Sequence, residues 1–227
     1  MKISEVFATI QGEGLLAGVP SLFIRTSGCN LRCHWCDTPY TSWTPEGEDW
    51  SLDRLMDWVR AHPSYRHVVL TGGEPMIQPQ LPELTRRLRE AALHVTIETA
   101  GTVDADVACD LMSLSPKLAN STPWQRDQRW AEKHEALRLQ PGVLQRLTRD
   151  YDYQLKFVVC EERDLNEIDA IRAMVNAPAD RVLLMPEGVE PGVLHERSQW
   201  IVEVCKRKGY RFCPRIHVLL WGAKRGV

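Results

Sequence analysis

The chain has 227 residues, 44% of them hydrophobic, so its length suits one domain with a sizeable core. Its 28 basic and 30 acidic side chains give a formal net charge of −2, and this balance argues against a general nucleic-acid or membrane binder. No apolar stretch approaches a membrane span and no signal peptide opens the chain, so we expect a cytoplasmic protein. Seven cysteines without an export signal indicate metal chemistry rather than disulfides.

Short apolar segments alternate with amphipathic segments along the chain. The predicted strands cover about 21–27, 67–70, 94–99, 111–114, 153–159 and 181–185. The predicted helices cover about 52–62, 82–92, 131–149, 165–175 and 191–208, the third of them broken or kinked at Pro141-Gly142. Residues 119–130 are polar and give no clear pattern, so the role of 119–150 stays open.

Six alternations of strand and helix predict parallel βα units with right-handed crossovers. Six units are too few for the full eight-unit barrel, so we expect an α/β fold with a partial (βα)6-type barrel. In such folds the carboxyl ends of the strands build the active site.

Cys29, Cys33 and Cys36 form a C-x3-C-x2-C motif directly after the first predicted strand. A cubane [4Fe–4S] cluster normally takes four thiolates, so three from one loop would leave one iron without a protein ligand. A vacant metal position is where a substrate or cosubstrate binds. The alternatives are a zinc knuckle, which would need a fourth soft ligand close by, or three buried thiols.

Polar motifs at or just after the predicted strands are candidates for a site at one rim. Arg25 interrupts an apolar strand, so it is either paired to a carboxylate of the protein or reserved for one on a ligand. Glu13, between two glycines, lies in a surface turn or is presented into a pocket. Asp37 and Thr38 offer hard oxygens that suit Mg²⁺, although a capping turn would use them equally well. Glu74, in the Thr71-Gly72-Gly73-Glu74-Pro75 stretch, can accept from a ligand amino group or brace the loop.

The cysteine spacing, with an aromatic residue before the third cysteine, resembles the radical S-adenosylmethionine superfamily. More motifs extend the resemblance to the 7-carboxy-7-deazaguanine synthase family: they are Ile10-Gln11-Gly12-Glu13-Gly14, Phe23-Ile24-Arg25, Cys36-Asp37-Thr38, Thr71-Gly72-Gly73-Glu74-Pro75, Ile97-Glu98-Thr99-Ala100-Gly101 and Ser115-Pro116-Lys117. The resemblance covers about 5–120 and resumes at 183–188 and 215–227.

This resemblance implies a ring contraction of 6-carboxy-5,6,7,8-tetrahydropterin to 7-carboxy-7-deazaguanine with release of ammonia, a step toward queuosine. It implies a [4Fe–4S] cluster, S-adenosylmethionine and Mg²⁺ as cofactors. It also implies a homodimer, a flavodoxin or ferredoxin reductant, and a single radical S-adenosylmethionine domain over 1–227 with an N-terminal substrate-binding extension and a C-terminal tail. The rival interpretations are a glycyl-radical activase and a zinc-stabilised binding module.

The resemblance also assigns roles to individual residues. The substrate would contact Gln11, Gly12, Glu13, Arg25, Thr71, Glu98 and His217. S-adenosylmethionine would contact Gly73, Ser115, Pro116, Lys117, Met185, Pro186 and Glu187, and Trp35 joins them by its position. Cys29, Cys33 and Cys36 would hold the cluster, and Thr38 would hold Mg²⁺.

Overall fold

The computed structural model describes all 227 residues and contains one nine-stranded sheet. The strands are β1 Lys2–Ile10, β2 Pro20–Thr26, β3 Glu48–Asp49, β4 His67–Gly72, β5 His94–Thr99, β6 Leu111–Leu114, β7 Tyr153–Val159, β8 Val182–Pro186 and β9 Arg211–Phe212. Their order in the sheet is β3-β1-β2-β4-β5-β6-β7-β8-β9, so the sheet is open.

The helices lie between successive parallel strands and at the C-terminal end of the chain. They are α1 Pro39–Ser42, α2 Leu52–Arg60, α3 Leu81–Glu90, α4 Gln128–Leu137, α5 Pro141–Asp150, α6 Asp164–Met174, α7 Pro191–Lys208 and α8 Ile216–Trp221. β2 and β4 to β9 pair in parallel, whereas β1 runs antiparallel to both β2 and β3.

The six predicted strands correspond to β2 and β4 to β8, which confirms the partial barrel of six parallel strands. The prediction missed β1, because most of its positions are only half-buried and its sequence holds no continuous apolar run. The helix expected over 131–149 is two helices, α4 and α5, and Pro141 is the first residue of the second. Proline fits a first helical turn because its missing N–H is not needed there.

Alternation along the strands separates the core from the site. Leu22, Ile24, Leu70, Ile97 and Phe157 are fully buried on the outer face of the sheet, where the helices cover it. Successive side chains of a strand point to opposite faces, so their sequence neighbours face the inside of the partial barrel. The apolar periodicity that builds the core therefore also selects which residues can build a site.

No helix is both long enough and apolar enough to cross a lipid bilayer.

Candidate active site

A row of polar side chains crosses the inner face of the sheet. Arg25, Thr71, Glu98, Ser113 and Lys156 each follow or precede a core residue on β2, β4, β5, β6 and β7. The register pairs Arg25 with Thr71 and Glu98 with Ser113 on neighbouring strands. Parallel pairing at this register brings charged groups that are far apart in sequence to one surface.

This surface is the floor of a cavity of about 300 Å³. Most residues that the sequence predicts for the site line it together. They are Gln11, Gly12, Glu13, Arg25, Cys29, Cys33, Trp35, Cys36, Thr38, Thr71, Gly73, Glu98, Ser115, Lys117, Met185 and His217. The predicted Pro116, Pro186 and Glu187 do not line it.

The cysteine loop forms one wall of the cavity, and all three thiols are free. The Leu31 N–H donates to Cys29 Sγ at 3.4 Å, and Cys36 Sγ lies 3.2 Å from Ser42 Oγ. Burial raises the pKa of Cys29 to about 12 and raises that of Cys33 as well, so both thiols are protonated when no metal ion binds them. No three His, Cys, Asp or Glu side chains surround a point that could hold a single metal ion.

Glu74 fixes the turn after β4 against β5. Its carboxylate accepts from Thr99 Oγ1 at 2.7 Å, from the Ala100 N–H at 2.9 Å and from the Met76 N–H at 3.1 Å. Of the two roles that the sequence allowed, the structure therefore shows the bracing one. Gly73, the residue before it, packs closely against the start of the cysteine loop: a Cβ added at Gly73 would lie 2.2 Å from the backbone oxygen of Gly28.

Glu13 is the most strongly paired carboxylate of the cavity. It accepts from Lys156 Nζ at 2.5 Å and from Arg215 Nε at 3.1 Å. Burial alone would raise its pKa, but the two cations outweigh burial and hold it far below its usual range. Glu13 is therefore ionised, and the three side chains form a charged network that is mostly closed to solvent.

Arg215 joins three segments at the cavity. Besides Glu13, its guanidinium donates to Asp37 Oδ2 at 2.5 Å and to the backbone oxygen of Gly188 at 2.6 Å. It thus ties the N-terminal loop, the cysteine loop and the loop after β8 to the segment before α8. His217, two residues after Arg215 and in the first turn of α8, packs against Gly12, where a Cβ would meet its ring. Burial lowers the pKa of His217, which favours a neutral ring.

Arg25 and Glu98 supply complementary groups on the floor. Arg25 Nε donates to Glu5 Oε1 at 2.6 Å, so this arginine is paired within the protein, but its two terminal nitrogens make no hydrogen bond. Glu98 accepts from Gln11 Nε2 at 3.2 Å and from Thr71 Oγ1 at 2.9 Å. The cavity therefore contains one guanidinium with two free nitrogens, on Arg25, and one carboxylate held in a fixed orientation, on Glu98.

Comparison with known proteins fits this geometry. Residues 23–120 match the model of the radical SAM superfamily. A 7-carboxy-7-deazaguanine synthase of Halobacterium salinarum is 43% identical over 97% of this chain and 90% of its own length. One from Rhodopirellula baltica is 46% identical over 99% of this chain and 88% of its own. The chain belongs to the 7-carboxy-7-deazaguanine synthase family.

A solved structure agrees with this family. QueE from Escherichia coli superposes with a TM-score of 0.72 at 27% identity, covering 95% of this chain and 94% of that one. Membership of the 7-carboxy-7-deazaguanine synthase family also rules out the two rival interpretations, the glycyl-radical activase and the zinc-stabilised module.

The radical SAM family implies a [4Fe–4S] cluster and S-adenosylmethionine, and the residues present fit both. Cys29, Cys33 and Cys36 all line one cavity and would hold three irons of the cluster, which would leave the fourth iron for S-adenosylmethionine. Beside them, Trp35 Nε1 donates to Asn120 Oδ1 at 3.2 Å, and Lys117 Nζ donates to Ser115 Oγ at 2.9 Å and lies 5.8 Å from the Trp35 ring centre. These contacts hold an aromatic face and a cation next to the thiols.

The three predicted residues outside the cavity have other partners. Pro186 is buried at the end of β8, and Glu187 forms an ion pair with Arg197 of α7. Pro116 is buried between Ser115 and Lys117, both of which do line the cavity.

Sequence reasoning assigned no role to Lys156, Arg215 or Glu5, although each is paired with a predicted site residue. One signal was available for Lys156, which is a lone charge within the apolar run of β7. Arg215 is separated from Glu13 by 202 positions, so no local pattern announces their contact.

Proposed function

We propose that this chain converts 6-carboxy-5,6,7,8-tetrahydropterin to 7-carboxy-7-deazaguanine with release of ammonia, a step of 7-deazapurine (queuosine) biosynthesis. The observation that carries this function is the 43% identity, over nearly the whole chain, with a relative of that name. The cavity supports it, because a volume of about 300 Å³ beside three thiols suits a small charged heterocycle.

When bound, the cluster and S-adenosylmethionine supply one-electron chemistry that can remove a hydrogen atom from a carbon. The protein holds the substrate for that chemistry and keeps water out. We propose that the terminal nitrogens of Arg25 bind the substrate carboxylate as a fork, while Nε remains on Glu5. Gln11, Gly12 and Glu13 of the N-terminal loop, with His217 opposite, would close over the ring.

Glu98 is proposed to accept from the guanidine-like edge of the pterin. Its two hydrogen bonds from Gln11 and Thr71 fix the orientation of the carboxylate before substrate binds. Glu13 suits this task less well, since Lys156 and Arg215 already neutralise it. We propose instead that Glu13 holds these two cations in place.

Thr38 is proposed to bind Mg²⁺. Its side chain lines the cavity, and its hydroxyl accepts from Thr41 Oγ1 at 3.4 Å. Mg²⁺ prefers oxygen ligands and keeps several positions for water and substrate, so one hydroxyl with a substrate carboxylate can suffice. Asp37, the residue before Thr38, forms an ion pair with Arg215.

S-adenosylmethionine is proposed to bind against Trp35, Gly73, Ser115, Lys117 and Met185, all at the cavity beside the thiols. Gly73 lets backbone approach the ligand amino group, since no side chain stands there. The segments that carry Ser115, Lys117 and Met185 would be shaped by Pro116, Pro186 and Glu187, which do not line the cavity themselves.

We further propose a single domain over 1–227, whose N-terminal extension and C-terminal tail complete the substrate cavity. Residues before β2 and after β9 both line it, which supports this division. We propose that it acts in the cytoplasm as a homodimer and receives electrons from a flavodoxin or a ferredoxin.

The test is anaerobic incubation of cluster-reconstituted protein with S-adenosylmethionine, a reductant, Mg²⁺ and 6-carboxy-5,6,7,8-tetrahydropterin, followed by mass analysis. We expect 7-carboxy-7-deazaguanine and ammonia. Cys33→Ala is the control, because it removes one thiol and should leave no cluster and no product. A wild-type protein that binds iron normally yet leaves the pterin unchanged would contradict the proposed reaction.

A further inference from the structure

The cysteine loop has a second face, which does not line the cavity. Cys29 and Leu31 line the cavity, whereas Arg32, the next residue, turns away toward α4. The Arg32 guanidinium lies 4.2 Å from the ring centre of Trp130, while its Nη1 donates to the backbone oxygen of Cys29 at 2.7 Å. One side chain thus links the cysteine loop to an aromatic ring on α4.

Further cations and indoles extend this face. Lys133 Nζ lies 4.6 Å from the Trp130 ring centre, and the Arg126 guanidinium lies 3.7 Å from that of Trp43. Trp43 Nε1 donates to the backbone oxygen of Cys33 at 3.1 Å, so this pair also touches the cysteine loop. We define the cationic face as Arg32, Trp43, Arg126, Trp130 and Lys133.

The cations of this face have no carboxylate partner. Arg32, Arg126 and Lys133 form no ion pair, whereas the arginines of α3 are all paired. The nearby Asp127 caps α4 by accepting from the Trp130 N–H, and Glu132 accepts from Gln128. Trp124, two residues before Arg126, is 50% exposed.

Cations without a carboxylate partner, set around half-buried indoles, are typical of a surface that binds an anionic protein. Aromatic and arginine side chains supply most of the binding energy at protein interfaces, and complementary charge speeds association. Here the cations have no carboxylate partner within the protein to compete with an incoming carboxylate. The face therefore fits an acidic surface on another molecule.

We propose that the cationic face docks an acidic electron-carrier protein, with a low-potential flavin or iron–sulfur centre, that reduces the cluster. The inference rests on the proposed function, which requires a cluster on Cys29, Cys33 and Cys36 and an external reductant. The carrier loses one electron and the cluster gains it, and no atom is transferred. Because the face meets the loop from outside the cavity, reduction can occur with S-adenosylmethionine and substrate in place.

Cations and indoles also suit single-stranded nucleic acid, which stacks on aromatic rings. The position of the face favours the electron carrier instead. Arg32 and Trp43 donate directly to the backbone oxygens of Cys29 and Cys33, so a carrier docked there lies within two side-chain contacts of the cluster ligands. Binding of nucleic acid would gain nothing from that proximity.

The binding experiment compares the double variant Arg126→Glu/Lys133→Glu with the control Arg66→Glu/Arg207→Glu. The control cations are also exposed and form no ion pair, and both doubles change the net charge equally. Affinity for oxidised flavodoxin is measured by biolayer interferometry at several salt concentrations. We expect the first double to raise Kd by about tenfold and flatten its salt dependence, with the control unchanged.

Turnover is then measured with sodium dithionite and with a reduced flavodoxin. We expect normal iron content and dithionite-driven rates in the first double, and a flavodoxin-driven rate about tenfold lower at limiting flavodoxin. Equal loss in both arms, unchanged flavodoxin affinity, or an equal effect in the control overturns the docking proposal. So does loss of single-stranded RNA binding with flavodoxin binding intact.

These outcomes separate the docking proposal from the proposed function. If wild-type protein makes no 7-carboxy-7-deazaguanine with dithionite as the reductant, the proposed reaction is contradicted. Flavodoxin-driven bleaching of the cluster's visible absorption then still reports docking, and an equal bleaching rate in the variant and wild type overturns it.

Discussion

Arg25 divides its guanidinium between the fold and the cavity. Nε is committed to Glu5, which also accepts from Tyr40, so this end of the side chain is fixed by β1 and α1. The terminal nitrogens make no hydrogen bond, and Arg25 is one of the residues that line the cavity. Lysine carries the same charge but has a single ammonium group, so it cannot keep the Glu5 contact and also bind a carboxylate with two donors.

Arg25→Lys is therefore expected to raise KM for the carboxypterin by about ten- to a hundredfold, the loss of about 1.5–3 kcal/mol that a charged hydrogen bond contributes. Steady-state kinetics with dithionite measures it. Arg54→Lys, at an exposed arginine stacked on Trp50 far from the cavity, is the matched control. An unchanged KM in Arg25→Lys would remove this arginine from the proposed substrate site.

Gly73 illustrates a contact that only a missing side chain allows. An added Cβ would meet the backbone oxygen of Gly28 at 2.2 Å and Cys29 Cβ at 2.8 Å, so either the β4 turn or the cysteine loop has to move. Backbone cannot yield as the end of a flexible side chain can. The turn and the cluster ligands are thus positioned by each other.

Gly73→Ala is expected to reduce the iron bound per chain by at least half after reconstitution, because the displaced loop misplaces Cys29. Iron analysis and visible absorption measure the loss. Gly142→Ala is the control, since its Cβ would meet nothing within 4 Å at the start of α5. Equal iron content in the two alanine variants would show that the loop tolerates the shift.

The link between the cysteine loop and α4 depends on His134, which is fully buried. Its Nδ1 accepts from the Arg32 N–H at 3.1 Å, and its Nε2 lies 2.9 Å from Ser121 Oγ. Since Ser121 donates to Leu118, the histidine ring donates to Ser121. The neutral ring thus accepts one hydrogen bond through Nδ1 and donates one through Nε2. Burial lowers the pKa of His134 to about 4 from 6.5.

This lowered pKa predicts acid sensitivity of the cluster-free protein. Below pH 6.5 the unfolded chain binds a proton at His134 that the folded chain does not, so the free energy of unfolding falls from pH 6.5 toward about 4. Urea unfolding at pH 7 and pH 5 measures the fall. His134→Gln, which keeps a donor and an acceptor but does not titrate, should show a smaller fall. A fall as large as in wild type would assign the effect to other groups.

Sequence patterns predicted the elements whose signals are local. The helix predicted over about 191–208 is α7, and Gly209 directly after it has the left-handed conformation that commonly ends a helix. Residues 119–130 gave no such signal, and the role of 119–150 stayed open because its contacts are long-range: α4 reaches the cysteine loop through His134 and Trp130. Composition cannot reveal pairing partners a hundred positions away.

The same limit applies to the site as a whole. The three thiols and most of the other predicted site residues line one cavity, since parallel strands bring their carboxyl ends together. Lys156 and Arg215, the charge partners of Glu13, were missed because they become its neighbours only through the order of the strands and the return of the tail. Glu5, the partner of Arg25, was missed together with β1. Individual roles within the cavity stay predictions.

The tail closes the cavity while adding little to the main core. Of α8 and the residues after it, only Val218 is buried. A chain that stops after residue 215 is therefore expected to keep its iron and its cooperative unfolding, but to bind the carboxypterin at least tenfold more weakly because His217 is lost. Circular dichroism, iron analysis and equilibrium binding measure this. Unfolding of the shortened chain would show that the tail is structural.

The sheet ends at both sides in strands of only two residues, β3 and β9. β3 pairs only with Lys2 and Ile3, so the rest of the nine-residue β1 has no strand partner on that side. An unpaired strand edge is a template for pairing with another chain. The outer edge of β1 is therefore the place where a second copy of this chain can extend the sheet, whereas β3 itself offers too few free backbone groups.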